Sequence, residues 1–272
     1  MPDRETNLHA ATPPPLTIEK WIYGGKGLAR WEGLAVLVPF VLPGAKARVK
    51  IERRLSGHAE AALLEITEPS AARCAPACPY FGRCGGCHYQ HSGYAFQLEQ
   101  KREILRETLR RTARLATPEQ IDIIAGEPWG YRNRAQFHLQ DGALGYLEAA
   151  SNRFCPVESC PICSPEINQA LAVLNQMSRE PRFPRFLRRL EIFSNGREFQ
   201  LSVLETDRPP ARHFFEWCAE RLPGLMNPAL DYAAAGFVFR VGRRSFFQVN
   251  RFLIDRLVEL AVADAQGRTA VD

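Results

Sequence analysis

Cys78-Pro79-Tyr80-Phe81-Gly82-Arg83-Cys84-Gly85-Gly86-Cys87 is the stretch around which the chain is organised. Its three cysteines stand at C-x5-C and C-x2-C spacing. Gly85 and Gly86 lack a Cβ and can take positive φ, which lets a backbone curl around an inserted object. Thiolates converging from one tight loop need a cation between them, and three ligands call for a fourth. Four thiolates suit zinc or an iron–sulfur cluster. Cys74 lies four residues upstream, and Cys155, Cys160 and Cys163 follow later. Zinc ribbons favour two C-x2-C pairs, and Cys84/Cys87 with Cys160/Cys163 match that count, so spacing leaves both metals open.

The rest of the chain sets bounds on what such a site serves. With 272 residues, 46% of them hydrophobic, the chain can bury a core and suggests about two domains. The formal net charge of +5 suits an acidic partner such as nucleic acid without requiring one. No apolar run reaches the ~18 residues of a membrane span. Met1–Pro15 has no apolar segment of a signal peptide and reads as a disordered tail. Eight cysteines without such a signal point to metal or redox chemistry in the cytoplasm rather than to disulfides. Thr269-Ala270-Val271-Asp272 reads as the opening of a strand, so a truncated chain is expected.

From Leu16 to about Ile66, short alternating runs separated by Gly24-Gly25, Glu32-Gly33, Pro43-Gly44 and Ser56-Gly57 predict five strands in a small OB-like barrel. Lys26 and Arg30 flank its first glycine turn and form either a solvated face or a phosphate-tracking surface. Tyr94 to Arg114 is expected as a helix with a Leu98, Leu105, Leu109 stripe. Ile121 to Tyr146 reads as β, with an Asp141-Gly142 hairpin turn and with Arg132 and Arg134 on one strand face. Ser164 and Pro165 open a helix to Met177 that turns Ile167, Ala170, Leu171, Leu174 and Met177 inward. Arg179 to Arg189 holds five arginines with Phe183 and Phe186, either an RNA-facing ridge or a solvated linker anchored in the core. A hairpin turned at Asn195-Gly196, a helix from Pro210 to Leu222 enclosing a buried Cys218, and a strand from Phe237 to Val241 follow. Asn250 is expected to cap a last helix whose apolar face is Phe252, Leu253, Leu257, Leu260 and Ala261.

Several of these stretches together resemble one family. Gly24-Gly25-Lys26-Gly27-Leu28-Ala29-Arg30 with Val38-Pro39-Phe40-Val41-Leu42-Pro43-Gly44 resembles a TRAM domain, an RNA-binding barrel. The C-x5-C-G-G-C loop followed by Tyr89-Gln90-His91 resembles the cluster loop of TrmA-type RNA uridine-5-methyltransferases that carry a 4Fe–4S centre. Tyr131-Arg132-Asn133-Arg134, Cys160-Pro161-Ile162-Cys163-Ser164-Pro165-Glu166-Ile167-Asn168 and Ser245-Phe246-Phe247-Gln248-Val249-Asn250 complete the likeness, which runs from about Leu16 to Asp272.

The resemblance implies a multi-domain α/β chain. Residues 16–70 would be the TRAM barrel, 71–240 a cluster-bearing α+β domain, and 241–272 the start of a Rossmann-like methyltransferase domain. It implies Cys78, Cys84, Cys87 and Cys160 as cluster ligands, with Cys74 and Cys155 as rivals of Cys160, and it favours iron–sulfur over zinc. Gln248 would contact S-adenosylmethionine and Phe246 would lie near the target base, with Lys26, Arg30, Arg132 and Arg134 as RNA contacts. In the family a cysteine thiolate attacks C6 of a flipped-out uridine, C5 takes the methyl group, and a carboxylate removes the C5 proton. The residues for that chemistry are expected beyond Asp272, so no catalytic residue is assigned here and the chain alone is expected to be inactive. The expected partner is RNA, 23S rRNA before tRNA, bound by a monomer and with no membrane. A non-catalytic RNA-binding module with a structural metal is the alternative. A ferredoxin-like carrier is disfavoured, because barrel, hairpins and arginines surround a single site.

Overall fold

A computed structural model of the chain describes residues 12–226, 229–264, 266 and 267. Of the expected tail only residues 12–15 are among them, and the strand opening at Ala270-Val271-Asp272 lies outside them. The fold is mixed α/β with several sheets. It divides into two compact units, Met1–Gly82 with Gly86–Ile123, and Arg83–Gly85 with Ile124–Asp272.

The first unit is a six-stranded sheet where the sequence suggests five strands. The strands are β1 (Leu16–Thr17), β2 (Lys20–Trp21), β3 (Gly27–Trp31), β4 (Leu34–Val38), β5 (Lys46–Leu55) and β6 (His58–Glu68), in the order β1-β5-β6-β4-β3-β2. Glu32-Gly33 turns β3 into β4 with φ of 50° and 81°, the left-handed pair that a tight hairpin needs. Only Ile18 and Glu19 separate β1, on one edge of the sheet, from β2, on the other. The Ile18 N–H donates to Ala45 O at 2.9 Å and the Glu19 N–H to Leu28 O at 2.8 Å. One short stretch therefore binds both edges. Alternation along β5 buries Ala47, Val49 and Ile51 and exposes Lys46, Arg48 and Lys50. Gly27 is required at the closure, since a Cβ there would stand 2.5 Å from Val41 and 2.7 Å from Ile18.

Trp21 anchors the segments that follow. Its indole N–H donates to Val41 O at 2.6 Å, and its ring packs against Tyr89, His91 and Phe96. Phe96 belongs to α1 (Tyr94–Thr108), which continues as a wider helical turn over Leu109–Ala113. The expected stripe packs shallowly: Leu98 and Leu109 are half-buried and Leu105 is exposed, because the contact to the sheet runs through aromatic rings at the start of the helix.

The second unit contains β7 (Arg134–Gln140), β8 (Ala143–Leu147), β9 (Phe154–Pro156), α2 (Pro165–Met177), β10 (Leu187–Ser194), β11 (Phe199–Thr206), α3 (Arg212–Arg221) and β12 (Leu225–Met226). It ends with β13 (Ala229–Ala234), β14 (Phe237–Gly242) and α4 (Ile254–Val262). The main sheet runs β12-β11-β10-β7-β8-β9, and β13-β14 form a separate hairpin that the sequence reading missed on its first arm. Asp141 and Gly142, at φ of 52° and 75°, make the turn between β7 and β8. All five expected residues of α2 are buried, and the Ser164 hydroxyl accepts from the Ile167 N–H as an N-cap.

Two expectations fail in this unit. Ile121–Asn133 forms no strand, and the ladder begins only at Arg134. The last helix starts at Ile254 because the Asn250 side chain and carbonyl first close a turn onto Phe252 and Leu253. Its expected inward residues Phe252, Leu257, Leu260 and Ala261 are exposed.

His91 makes the first unit pH-sensitive. Burial among Trp21, Phe40 and Phe81 pushes its imidazole from the ordinary 6.5 down to about 4. The unfolded chain takes up this proton near pH 6.5 and the folded chain only near 4. The neutral ring's contribution is therefore complete above about pH 6.5 and is lost as the pH falls from there to about 4. Urea unfolding followed by Trp fluorescence at pH 7 and pH 5 is expected to show a fall of about 1–2 kcal/mol. His91→Gln should flatten that difference.

Candidate functional site

Three motifs that the sequence spreads over more than a hundred residues meet at the backbone of Tyr131-Arg132-Asn133-Arg134. On one side lies the Cys160–Ser164 loop. The Gly130 N–H donates to Pro161 O at 2.9 Å, the Arg132 N–H to Ile162 O at 2.8 Å, and the Ser164 N–H to Arg132 O at 2.8 Å. On the other side lies the Ser245–Arg251 segment. The Asn133 N–H donates to Val249 O at 3.0 Å, and the Arg251 N–H to Tyr131 O at 2.9 Å. Arg132 bridges Cys163 and Asn250 at once.

Side chains tighten the junction. Asn133 is buried, and its Nδ2 donates to Gln248 O at 3.1 Å and lies 3.5 Å from the Tyr232 hydroxyl. Arg134, expected on an RNA face, is instead buried. Its guanidinium lies 4.4 Å from the Phe193 ring centre and donates from Nη1 to Ser245 O at 2.5 Å, and Glu191 stands 3.8 Å from its Nε. The alternation that puts Arg134 on a face with Arg132 fails because Arg132 precedes the ladder. The turn that Arg134 holds has Arg244 at φ 66° and leaves Phe246 81% exposed. Phe247 packs inward on Phe193, Tyr232 and Phe239. Gln248 is exposed, and its carbonyl is taken by Asn133.

The Cys160–Cys163 turn has its own clamp. Asn168 on α2 accepts from the Cys160 N–H at 2.8 Å and donates to Cys160 O at 3.0 Å and to Cys163 O at 3.2 Å. The Cys163 thiol donates to the Cys160 sulfur, which draws the Cys160 thiol below its ordinary value and pushes Cys163 above it. Tyr146 on β8 places its hydroxyl 3.8 Å from Cys163 Sγ. Arg83–Gly85 pairs antiparallel alongside the end of that strand, with the Gly85 N–H on Leu147 O at 2.9 Å and the Ala149 N–H on Arg83 O at 3.0 Å. Gly85 eases this close approach, since a Cβ would stand tightly, 3.2 Å from Leu147 O. Of the loop's glycines it is Gly82 that takes positive φ, at 87°.

Cys78 and Cys87 lie in the first unit, and Cys84 and Cys160 in the second. The Cys78 N–H donates to Gln90 Oε1 at 3.1 Å, and the Cys74 thiol contacts Gln90 O at 3.8 Å. All eight cysteines are free thiols. Among the described residues no group of three or more His, Cys, Asp or Glu side chains stands close enough to hold a metal ion. In the first unit Lys26 pairs with Glu60 at 2.7 Å and Arg30 with Glu19 at 3.5 Å. Lys26, with Arg53, holds the Glu60 carboxyl at about 2.

Sequence reasoning assigned no role to Asn133, Asn168 or Tyr146. Asn133 and Asn168 both stand inside quoted motifs, and an Asn in a loop-facing motif position is a signal for backbone clamping. Asn133→Ala and Asn168→Ala are each expected to cost about 1–3 kcal/mol, the penalty for stranding buried partners, read as a lower urea midpoint. Asn168→Ala should also change the rate at which Cys160 reacts with a maleimide, whereas Asn133→Ala should not.

No family model matches the chain. It is 35% identical over 262 residues to the Enterobacter protein named 23S rRNA (uracil(1939)-C(5))-methyltransferase RlmD, covering 88% of this chain and 58% of that protein. It is 33% identical over 166 residues to an Aquifex aeolicus protein named as an uncharacterised RNA methyltransferase, covering 61% of this chain and 39% of the relative. The chain thus spans between about two fifths and three fifths of the length of these curated relatives. In fold it is similar to the crystal structure of Pyrococcus abyssi tRNA (uracil-54, C5)-methyltransferase in complex with S-adenosyl-L-homocysteine. The TM-score is 0.69 at 18% identity, over 93% of this chain and 65% of that one. The sequence likenesses are thus to proteins named as RNA methyltransferases, the Enterobacter one as a uracil-C5 methyltransferase.

Proposed function

We propose that this chain is the RNA-recognition portion of an S-adenosylmethionine-dependent RNA (uracil-C5)-methyltransferase that acts on 23S rRNA, as a cytoplasmic monomer. The likeness to the Enterobacter protein over 88% of the chain supports the substrate class. The observation that carries the reading is the junction at Tyr131–Arg134, where three motifs of the resembled family share one short stretch of backbone. On this reading residues 16–70 are a TRAM barrel, 71–240 the cluster-bearing domain and 241–272 the opening of a Rossmann-like methyltransferase domain.

Cys78, Cys84, Cys87 and Cys160 would hold a 4Fe–4S cluster. Four soft thiols, none in a disulfide, fit it by chemistry. When bound, the cluster supplies folding free energy rather than electrons. Gln248, with its carbonyl fixed and its side chain exposed, would contact S-adenosylmethionine, which supplies the methyl group when bound. Phe246 offers an exposed ring to an extruded base, and Lys26, Arg30 and Arg132 offer cations to phosphates. Arg134 acts on that face by holding the Ser245 turn.

The resembled chemistry needs a thiolate that attacks uridine C6, and the cysteines present are unsuited to it. Cys155, Cys163 and Cys218 are buried, and burial pushes the Cys218 thiol up to about 12. Cys74 adjoins the cluster loop. The chain is therefore proposed to bind RNA without methylating it. The same cysteine burial favours, as a second reading, a non-catalytic RNA-binding module with a structural metal.

Anaerobic purification followed by iron, sulfide and zinc analysis is expected to give about four irons and four sulfides per chain, largely lost in Cys160→Ser. A colourless protein with one zinc would overturn the cluster. With methyl-labelled S-adenosylmethionine and 23S rRNA, the chain is expected to transfer no label, and incorporation into RNA would overturn that part of the reading.

A further inference from the structure

The second unit carries a basic groove away from the junction. An open cavity of about 830 Å3 lies between residues 181–186 and 207–214, lined by Arg182, Arg185, Phe186, Arg208 and His213. A smaller groove opens on the other side of Phe183-Pro184-Arg185, where Arg185 and Arg188 line it. The two walls are tied together. The Asp207 N–H donates to Phe186 O at 3.0 Å, and the Thr206 hydroxyl donates to the same oxygen at 3.2 Å. Phe183 is buried against Phe214 and anchors the floor.

The cations are arranged unevenly. Arg188 is neutralised by Asp207 at 2.5 Å. Glu180 serves two guanidiniums, Arg182 at 3.3 Å and Arg221 at 3.2 Å. Arg185 donates only to the Ser178 carbonyl, at 2.9 Å, and among the described residues neither Arg185 nor Arg208 has a carboxylate partner. Two guanidiniums lie over aromatic rings, Arg208 at 4.3 Å from the Phe186 centre and Arg182 at 3.8 Å from that of Trp217. Stacking fixes the plane of a guanidinium while leaving its N–H edge and outer face free. A solvated surface has no need to order arginines in this way, since each ordered side chain loses rotamer entropy.

We infer that this groove is a second RNA-contacting surface, in which Arg185 and Arg208 take backbone phosphates and the stacked Arg208 and Arg182 present planes to unpaired bases. This inference rests on the RNA reading proposed above and adds a surface which that reading does not contain. Planar cations beside aromatic rings in an open groove match a single-stranded or looped RNA segment, whose phosphates and splayed bases alternate at short range.

The test measures binding of the full chain to a fluorescein-labelled RNA stem–loop with a uridine-rich loop, by anisotropy across a salt series. The Arg185→Ala/Arg208→Ala double variant is expected to bind about tenfold or more weakly at low salt. The slope of log affinity against log salt should become shallower by about 1–2. Arg208→Lys keeps the charge and loses the plane, so it should weaken binding while leaving the slope unchanged. Both exposed arginines lie outside the core, so thermal unfolding should match the unaltered chain. Double-variant binding with the original affinity and slope would overturn the inference while leaving the RNA reading intact. Failure of the unaltered chain to bind the stem–loop at any salt would instead overturn the RNA reading and this inference with it. Polyglutamate competing as well as RNA, measured by displacement, would overturn the assignment of the groove to nucleic acid.

Discussion

Four residues of extended backbone, Tyr131 to Arg134, hold the second unit's motifs in register. Their N–H and C=O groups are shared between a cysteine turn and a segment from the end of the described chain, so neither flank can shift without stranding buried polar groups on the other. Asn133 and Arg134 then spend their side chains on carbonyls rather than on solvent. The sequence shows two arginines and an asparagine that look like contact residues. Two of the three are in fact the means by which an exposed aromatic turn is presented.

The two units solve their core problems differently. In the first, a sheet of modest size is completed by aromatic residues from the segment after it, and Trp21 gathers Tyr89, His91 and Phe96 around one indole. The same packing buries an imidazole that would be charged outside the fold in mild acid. In the second, an amphipathic helix capped by Ser164 covers a sheet that is antiparallel except at its β11–β12 edge. Polar groups inside that layer are matched individually, as Asn175 shows by serving Leu144 N–H and Val157 O together.

Legibility in the sequence followed the range of the interactions. Local signals were reliable: the Asp141-Gly142 and Asn195-Gly196 turns, the Ser164 cap, the five inward residues of α2 and the buried Cys218 all depend on neighbours within a few positions. Where pairing was long-range, the reading slipped. Nothing local separates Ile121–Asn133 from the strand that follows, because Arg132 and its neighbours pair with distant segments outside any ladder. Asn250 carries a cap-like side chain, yet it closes a turn before the helix. Gly85 is favoured by the approach of Leu147 O, a partner more than sixty residues away, rather than by a curl of its own loop. The motif residues of the candidate site could be quoted from sequence, but their division between contact and support depended on burial.

The stretch from Leu16 to Trp21 has a consequence for handling the protein. Because β1 lies on β5 and β2 on β3, six residues act as a zipper slide that shuts both borders of the sheet. Trimming the chain past Leu16 would uncover two rows of unpaired backbone groups together, one along β5 and one along β3, each open to pairing with another molecule. Affinity tags and cleavage sites therefore belong ahead of this stretch, and shortened versions that begin inside it are expected to yield aggregates.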